Sequence, residues 1–262
     1  MPKPCRPGLP QVILFFSPGY LLSAGLTSQL IPNLDISIDG YQVTVDNRVG
    51  LTGSFVSTDN NLPADVKNAF AATGANQAQF FFNAFDTRTT GVEFTASYKI
   101  RTGNTSDLSI ITGGNFMKTE VLNVHLPAKL NESYLNTVLS PAEKNRIEKQ
   151  TPGKKINLQA IYRINKLSFM VRPVYFGEVT SASALSANNY FYQKYPAILV
   201  TDISAGYKFN SMIRITAGLE NTFNEVGDYV SRSISGFRTP SPGGLQNGAT
   251  GRQFFISLNA QF

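Results

Sequence analysis

Two carboxylates and two basic side chains near the end of the chain have types and spacing that could support chemistry. Asp202 and Lys208 lie in one alternating segment, and Arg214 and Glu220 lie in the next. Facing carboxylates could act as a general acid and a general base if a substrate cleft lay between them. The sequence predicts no such cleft, so we expect these four residues to form a charge network on a polar surface.

Three other features could bind or react, and each has a simpler interpretation. The lone histidine, His125, falls in a predicted loop, where we expect a solvated side chain rather than a metal ligand. The single Cys5 excludes an internal disulfide and a cysteine-based metal site. Gly113 and Gly114 could admit a close backbone approach within a predicted strand, but we expect a β-bulge there.

Four aromatic residues lie close together in one predicted loop, and they could stack on a ligand or lie at an interface. They are Tyr190, Phe191, Tyr192 and Tyr195. The sequence contains no nucleophile elbow, no zinc-protease motif and no phosphate-binding loop. We therefore predict that the chain is not an enzyme, has no catalytic, cofactor-binding or metal-binding residues, and has ligand-binding residues that the sequence does not identify.

Composition excludes several classes of protein. Charged residues make up 15% and hydrophobic residues 42% of the 262 residues, whereas charged residues reach about 25% in ordinary soluble domains. Apolar runs are too short for a membrane-spanning helix. The net charge is +6, but the basic residues are spread singly along the chain. This distribution does not predict nucleic-acid binding.

Apolar and polar residues alternate in nine segments, with turn residues between them. A period of two places apolar side chains on one face of a strand and polar side chains on the other. In the last segment, Phe254, Ile256 and Leu258 oppose Ser257 and Asn259. Most segments have about 9–11 residues, the length of a tilted strand that crosses a bilayer. The predicted strands are 22–30, 34–46, 89–101, 107–120, 154–164, 167–178, 200–209, 212–220 and 252–262.

The second predicted strand changes phase at Gly40. Ile36 and Ile38 share one face, and Tyr41 and Val43 then take over the pattern. A glycine at such a change predicts a β-bulge.

The connections between these strands alternate between short and long. The short turns are 31–33, 102–106, 165–166 and 210–211, and the long loops are 47–88, 121–153, 179–199 and 221–251. Short turns at one end and long loops at the other are typical of outer-membrane barrels. The sequence therefore predicts an all-β fold, an antiparallel transmembrane β-barrel with short periplasmic turns and long extracellular loops.

Two of the long loops contain helix signals. Ser140 and Glu143 form a capping box with Pro141 at the first helical position, which predicts a helix ending near Gln150. A weaker pattern predicts a helix over 63–72.

We expect two regions, an atypical segment over 1–21 and a barrel portion over 22–262. The first twenty residues contain five prolines and no alternation. A signal peptide is the other interpretation, but Pro18 and Gly19 interrupt its apolar core. Bacterial barrels have even strand numbers, so nine strands predict the carboxyl-terminal part of a larger barrel.

Four stretches resemble the last strands of TonB-dependent receptors of the Gram-negative outer membrane. They are 39–48, 79–93, 218–224 and the closing strand that ends at Phe262. Within the third, Asn221-Thr222-Phe223-Asn224 resembles the family's Asn-Leu-Phe-Asn/Asp element, with Thr222 in place of leucine. The resemblance covers residues 22–262 and is carried by the order of the four stretches.

The resemblance implies a plugged barrel of about 22 strands, of which this chain would supply about 9–10. Such receptors take up scarce ligands, such as ferric siderophores, haem, cobalamin or glycans. The implied partners are outer-membrane lipid, the TonB complex and the barrel-assembly machinery, which reads the strand ending at Phe262. We expect the plug and the energy-coupling segment to lie outside these residues, and transport to depend on them.

Two alternatives remain open at this point. A small outer-membrane barrel of about ten strands, acting as an adhesin or passive pore, would need one more strand from residues 9–21. A soluble β-barrel for a lipid-like ligand would place the apolar side chains inside a closed core.

Overall fold

The computed structural model describes residues 18–126, 130–186, 189–228 and 251–261. The amino-terminal 1–17, the stretch 229–250 with its turn-forming 240–244, and Phe262 lie outside the described residues. The elements are β1 (Gly19–Ile31), β2 (Leu34–Leu51), β3 (Phe55–Val56), α1 (Ala64–Thr73), β4 (Gln77–Ala78), β5 (Phe81–Arg101), β6 (Ser106–Val124), a 3₁₀ helix (Glu132–Tyr134), α2 (Leu135–Val138), α3 (Pro141–Lys149), β7 (Lys154–Ile164), β8 (Leu167–Phe176), β9 (Val179–Ser186), β10 (Asn189–Tyr195), β11 (Ile198–Lys208), β12 (Ile213–Glu220) and β13 (Gln253–Ala260).

Nine strands form one antiparallel sheet in the order β1-β2-β5-β6-β7-β8-β11-β12-β13. Each of the nine predicted strands is present, and β7 occupies the predicted residues 154–164. β1 begins at Gly19, so three residues of the predicted atypical segment belong to the sheet. β1 and β13 are its edges within the described residues, and the sheet is an open, partial barrel wall.

The strand register joins the apolar side chains into one band across the sheet. Phe94 lies opposite Ile38 on one side, and Ile203 lies opposite both Val171 and Leu219 further along. We call this surface the apolar band; it comprises Leu22–Leu26, Ile36–Ile38, Val92–Ile100, Leu108–Phe116, Ile156–Ile164, Leu167–Tyr175, Ile203–Tyr207, Ile213–Leu219 and Phe254–Ala260 in alternate positions.

The apolar band is exposed rather than packed into a core. Phe254 and Ile256 are 81% and 82% exposed, and Leu26 is 72% exposed. A closed soluble barrel would bury these side chains, because burial of apolar surface stabilises it. The arrangement therefore contradicts the soluble-barrel alternative.

The bulge predicted at Gly40 is wrong. Gly40 stays in register with Ala24 on β1 and Val92 on β5. Because the register does not change, Tyr41 and Val43 lie on the face opposite the apolar band. The true irregularity comes later, between Val45 and Arg48, where Asn47 has a φ of 52°.

The bulge predicted at Gly113–Gly114 is also wrong, since both residues stay in register with β5 and β7. Gly114 instead makes room for Phe94, whose Cε1 would lie 2.5 Å from an added Cβ. Gly91 does the same for Tyr41, whose Cζ would lie at 2.4 Å. An aromatic ring that covers a cross-strand glycine stabilises the strand at its weakest residue.

The short turns lie at one end of the sheet, as predicted. Asn33 and Asn165 adopt positive φ values of 67° and 53° there, which asparagine tolerates better than most residues. In the turn after β11, Oδ1 of Asn210 accepts the backbone N–H groups of Met212 and Ile213 at 2.9 and 2.8 Å.

The long loops lie at the other end and carry the helices. α3 begins as predicted, with Ser140 Oγ accepting the backbone N–H of Glu143 at 3.1 Å. The predicted helix over 63–72 corresponds to α1. None of the helices in the described residues is long and apolar enough to cross a membrane.

Two long loops pack together on the end of β5 and form a small buried cluster, the loop core. Phe55, Leu62 and Phe70 come from the first loop, and Tyr134 and Val138 from the second. The third loop contains the hairpin β9–β10, which was predicted only as a loop. Its first strand is built from serine, alanine and threonine, which carry little of the apolar alternation that marks a strand.

Candidate functional site

The candidate site is the polar face of the sheet, opposite the apolar band, together with the loops above it. On this face, Asp202 does not pair with the basic residues of the charge network predicted from the sequence. Arg172 on β8 donates from Nη2 and Nε to Oδ2 of Asp202 at 2.7 and 3.0 Å. The other oxygen of Asp202 accepts the backbone N–H of Asn221 at 2.8 Å.

The predicted charge network of Asp202, Glu220, Lys208 and Arg214 is therefore wrong, because Asp202 pairs with Arg172, which lies outside it. Lys208 lies opposite Arg214, a like charge. Along a strand, residues 202 and 208 are about 20 Å apart. Register, which sequence spacing does not reveal, decides that Arg172 is the partner of Asp202. Glu220 lies opposite Gln253 at the loop end of β12.

A second polar cluster centres on Asp86, where β5 reaches the loops. Oδ1 of Asp86 accepts the backbone N–H of Asn47 at 2.8 Å and lies 2.8 Å from Nε2 of His125. Oδ2 accepts Nδ2 of Asn123 at 3.0 Å. His125 follows the last residue of β6 and stays part-exposed, as expected for a loop histidine, but its bond to Asp86 is a contact that the sequence did not predict.

The polar face contains a third cluster, in the middle of β2, β5 and β6. Nδ2 of Asn115 donates to the hydroxyl of Tyr41 at 3.2 Å and also to Glu93. Tyr41 can reach this position because Gly91 leaves space beneath its ring. The face thus presents hydroxyl, amide and carboxylate groups, the functions that bind and pass polar solutes.

A cavity of about 510 Å³ lies between the first long loop and α3. Its polar lining includes Arg48, Gln79, Ser140 and Arg146. Arg146 is ion-paired with Glu143 one helical turn away, and Arg48 donates to Thr87 at 3.4 Å. This cavity could hold a polar or anionic group of a ligand, since arginine recognises carboxylate and phosphate well.

The four loop aromatics do not form one surface. Tyr195 is buried, at 1% exposure, whereas Tyr192 is 52% exposed. Tyr190 and Tyr192 lie on one face of the β9–β10 hairpin, opposite Ala184 and Ala182. Whether these two stack on a ligand stays a prediction, and no signal in the sequence separated Tyr195 from them.

Metal binding finds no support in side-chain geometry. Within the described residues, histidine, cysteine and carboxylate groups do not cluster in threes at a spacing that could hold a metal ion. The single histidine, His125, is held by Asp86.

Comparison with solved structures identifies the architecture. The chain is similar to the outer membrane transporter YddB from Escherichia coli, with 12% identity and a TM-score of 0.61, over 93% of this chain and 32% of that one. It is similar to the pyoverdine outer membrane receptor FpvA from Pseudomonas aeruginosa PAO1, with 12% identity and a TM-score of 0.60, over 93% and 30%. It is also similar to the FrpB iron transporter from Neisseria meningitidis, with 16% identity and a TM-score of 0.58, over 93% of this chain and 31% of that one.

The chain thus spans about a third of the length of these proteins. Comparison with curated proteins finds no match. The family model described as TonB dependent receptor-like, beta-barrel, matches residues 22–221, most of the chain. The chain therefore belongs to the TonB-dependent receptor β-barrel family of the Gram-negative outer membrane.

Proposed function

We propose that this chain forms part of the wall and outer loops of a receptor that imports a scarce ligand. The candidate ligands are a ferric siderophore, haem, cobalamin or a glycan. Among the similar structures, FpvA is described as a pyoverdine receptor, FrpB as an iron transporter and OprC as a copper transporter. An iron chelate is therefore the first ligand to test, and the proposed role is transport rather than catalysis.

The observation that carries this proposal is that the sheet has one apolar and one polar face, and that the long loops among the described residues lie at one end of it. The apolar side chains from Val92 to Ile100 extend over about 27 Å of strand. With a tilt of about 40°, they cover about 20 Å of membrane thickness, close to the apolar band of about 25 Å in outer-membrane barrels. In the proposed orientation, the apolar band contacts the lipid tails.

The proposed partners follow from the same geometry. The loops would capture the ligand, and the polar face would line its path. The whole receptor would depend on a plug and on the TonB complex for energy, and the strand ending at Phe262 would be read by the barrel-assembly machinery.

Cysteine accessibility tests the two faces. In a Cys5→Ser background, single cysteines replace Phe169 and Ile215 on the apolar band, and Ser168 and Thr216 on the polar face. In isolated outer membranes, a membrane-impermeant maleimide should label the second pair and not the first, because lipid tails exclude the charged reagent. Equal labelling of both pairs would contradict the membrane orientation.

Ligand uptake is tested in cells. A strain that lacks the gene for this receptor should grow poorly when iron is supplied only as one ferric siderophore, and the intact gene should restore growth. Free iron salts in excess should support both strains equally. If no iron chelate, haem, cobalamin or glycan distinguishes the two strains, the proposed import function is wrong.

A further inference from the structure

Two basic side chains lie opposite each other on the polar face, at the end of the sheet that carries the short turns. Lys208 is the last residue of β11, and Arg214 is the second residue of β12. The register pairs the two residues directly. Like charges that lie directly opposite in a sheet destabilise it, so this pair costs free energy unless an anion lies between the two side chains.

The described residues supply no carboxylate as that anion. Other cations of the polar face are paired, since Arg172 contacts Asp202 and Arg163 lies 3.0 Å from its partner on β6. The ion pairs found among the described residues do not include Lys208 or Arg214. The carboxylate on each of their own strands lies six residues away, which is about 20 Å along a strand.

The two cations line a cavity of about 420 Å³ between the turn after β11 and the last strand. We call this cavity the turn-end pocket. Asn259 lies opposite Arg214 in the register, and Ser257 lies opposite Thr216 in the next row. Neutral hydroxyl and amide groups, which can donate hydrogen bonds, complete the polar lining; they belong to Asn210, Ser211, Thr216, Ser257, Asn259 and Gln261.

Hydrogen bonds of the turn hold the pocket in shape. Oδ1 of Asn210 accepts the backbone N–H groups of Met212 and Ile213, so its amide nitrogen is the group that remains for a ligand. The backbone N–H of Gln261 donates to the carbonyl of Met212 at 3.0 Å. The end of the last strand is thereby joined to the turn, and a ligand would find the donors already positioned, which lowers the cost of binding.

We propose that the turn-end pocket binds an oxyanion, the phosphate or carboxylate group of a small solute. Arg214 would donate two parallel hydrogen bonds to two oxygens of the anion, Lys208 would add a compact positive charge, and the side chain of Asn259 would donate a further bond.

The place of the pocket in transport rests on the proposed import function. In that orientation the short turns lie on the periplasmic side, and the polar face lines the path of the ligand. The turn-end pocket would then hold the anionic group of an imported ligand where it leaves the barrel. The two unpaired cations would favour anionic over cationic ligands at this exit.

A methionine in the pocket reports on binding. Met212 lines the pocket and is 59% exposed, whereas Met170 lies outside it on the same face, opposite Ser204. Nuclear magnetic resonance of the full-length protein in detergent, with ¹³C-labelled methionine methyl groups, follows both residues, and Met212→Leu assigns the first signal. Inorganic phosphate or citrate should shift the Met212 signal to saturation at constant ionic strength, and sodium chloride should not. The Met170 signal should stay in place.

Charge variants separate a specific site from general attraction. The double variant Lys208→Gln, Arg214→Gln should weaken oxyanion binding at least about tenfold, because two charged contacts are lost. Lys144→Gln with Lys194→Gln removes the same charge at the loop end and should change the affinity less than about twofold, because salt screens distant charges.

Neutral variants test the pocket without changing its charge. Asn259→Ala should weaken binding about threefold, because one hydrogen bond to the anion is lost. Gln253→Ala, at the opposite end of the same strand, is the matched control and should leave the affinity unchanged. An unchanged affinity in Asn259→Ala would overturn the assigned site.

The stability of Arg214→Gln is an independent test that does not depend on the ligand. At low ionic strength and without oxyanion, this variant should raise the midpoint of urea unfolding, because the repulsion from Lys208 is removed. A lowered midpoint would show that the protein itself supplies a stabilising partner for Arg214, and would overturn the proposal.

The remaining outcomes identify the anion and separate the pocket from the proposed function. Tighter binding of citrate would identify a carboxylate ligand, and tighter binding of phosphate would identify a phosphate group. An equal shift with sodium chloride, or equal weakening by both double variants, would overturn the pocket. Correct maleimide labelling without a Met212 response would overturn only the pocket, whereas a Met212 response without the labelling pattern would overturn only its place at the periplasmic exit.

Discussion

Arg172 and Asp202 form a two-nitrogen contact across β8 and β11, with Nη2 and Nε of Arg172 at 2.7 and 3.0 Å from Oδ2 of Asp202. The same carboxylate accepts the N–H of Asn221 at the start of the last long loop. Asn221 has a φ of 49°, and its side chain in turn bonds both the N–H and the carbonyl of Glu225. One carboxylate thus connects two strands to the base of a loop.

Replacement of Asp202 by alanine should therefore destabilise the chain by about 2 kcal/mol. The variant leaves the buried N–H of Asn221 without an acceptor, and the partial exposure of Arg172 limits the further loss. The midpoint of urea unfolding in detergent measures the effect. Glu220→Ala is the control, with an expected change within about 0.5 kcal/mol; an equal loss in both variants would contradict the assigned pairing.

Gly91→Ala should destabilise the sheet by about 1–2 kcal/mol. Its Cβ would lie 2.4 Å from Tyr41, so the ring must move and lose its hydrogen bond to Asn115. Gly40→Ala is the matched control, because its Cβ would meet only the carbonyl oxygen of Ala24 at 3.9 Å.

A double-mutant cycle with Tyr41→Ala isolates the contact between Gly91 and Tyr41. Once the ring is absent, Gly91→Ala should cost less than about 0.5 kcal/mol, and urea unfolding of the four proteins gives the coupling energy. Additive losses would show that the cost at Gly91 comes from the backbone and not from the ring.

Ser140→Ala should weaken α3 by about 1 kcal/mol, because the backbone N–H of Glu143 loses its acceptor. Hydrogen exchange at the amides of residues 143–145 measures the local opening. Ser140→Asp should retain protection, since aspartate caps helices equally well. Unchanged exchange in the alanine variant would show that packing alone holds the start of the helix.

Tyr134 should make the loop core sensitive to alkali. Burial, together with the hydrogen bond donated to Oδ2 of Asp59 at 2.8 Å, raises the pKa of Tyr134 to about 12. Because the folded pKa lies above the ordinary value of about 10, its stabilising effect is complete below pH 10. That stabilisation is lost as the pH rises from about 10 through 12.

The difference in ultraviolet absorbance between the wild type and Tyr134→Phe isolates this phenol among the 11 tyrosines. The phenolate signal should appear near pH 12, and the variant should lose less stability between pH 10 and 12. Ionisation of Tyr134 near pH 10 would contradict its burial against Asp59.

Local patterns were sufficient to predict the strands, because successive side chains of a strand point to opposite faces, and apolar and polar residues therefore alternate where the two faces differ in environment. The last strand was predicted from Phe254, Ile256 and Leu258, and the structure confirms that these residues share the exposed apolar face. The helix cap at Ser140 was predictable for the same reason: donor and acceptor lie three residues apart.

Contacts between distant residues were not predictable in this way. The sequence predicts bulges at Gly40 and at Gly113–Gly114, because a glycine within a strand has two common causes and only the neighbouring strand shows which applies. The sheet places aromatic rings over Gly91 and Gly114, and the register pairs Asp202 with Arg172.

The alternation of residue types by itself determined the nine strands, their apolar faces and the ends at which turns and loops lie, since these depend on neighbours along the chain. Only the tertiary structure decided the partners of Asp202 and His125 and the packing of two loops into the loop core. Those features depend on which residues of separate strands lie opposite one another, and a shift of one residue would exchange every side chain between the faces.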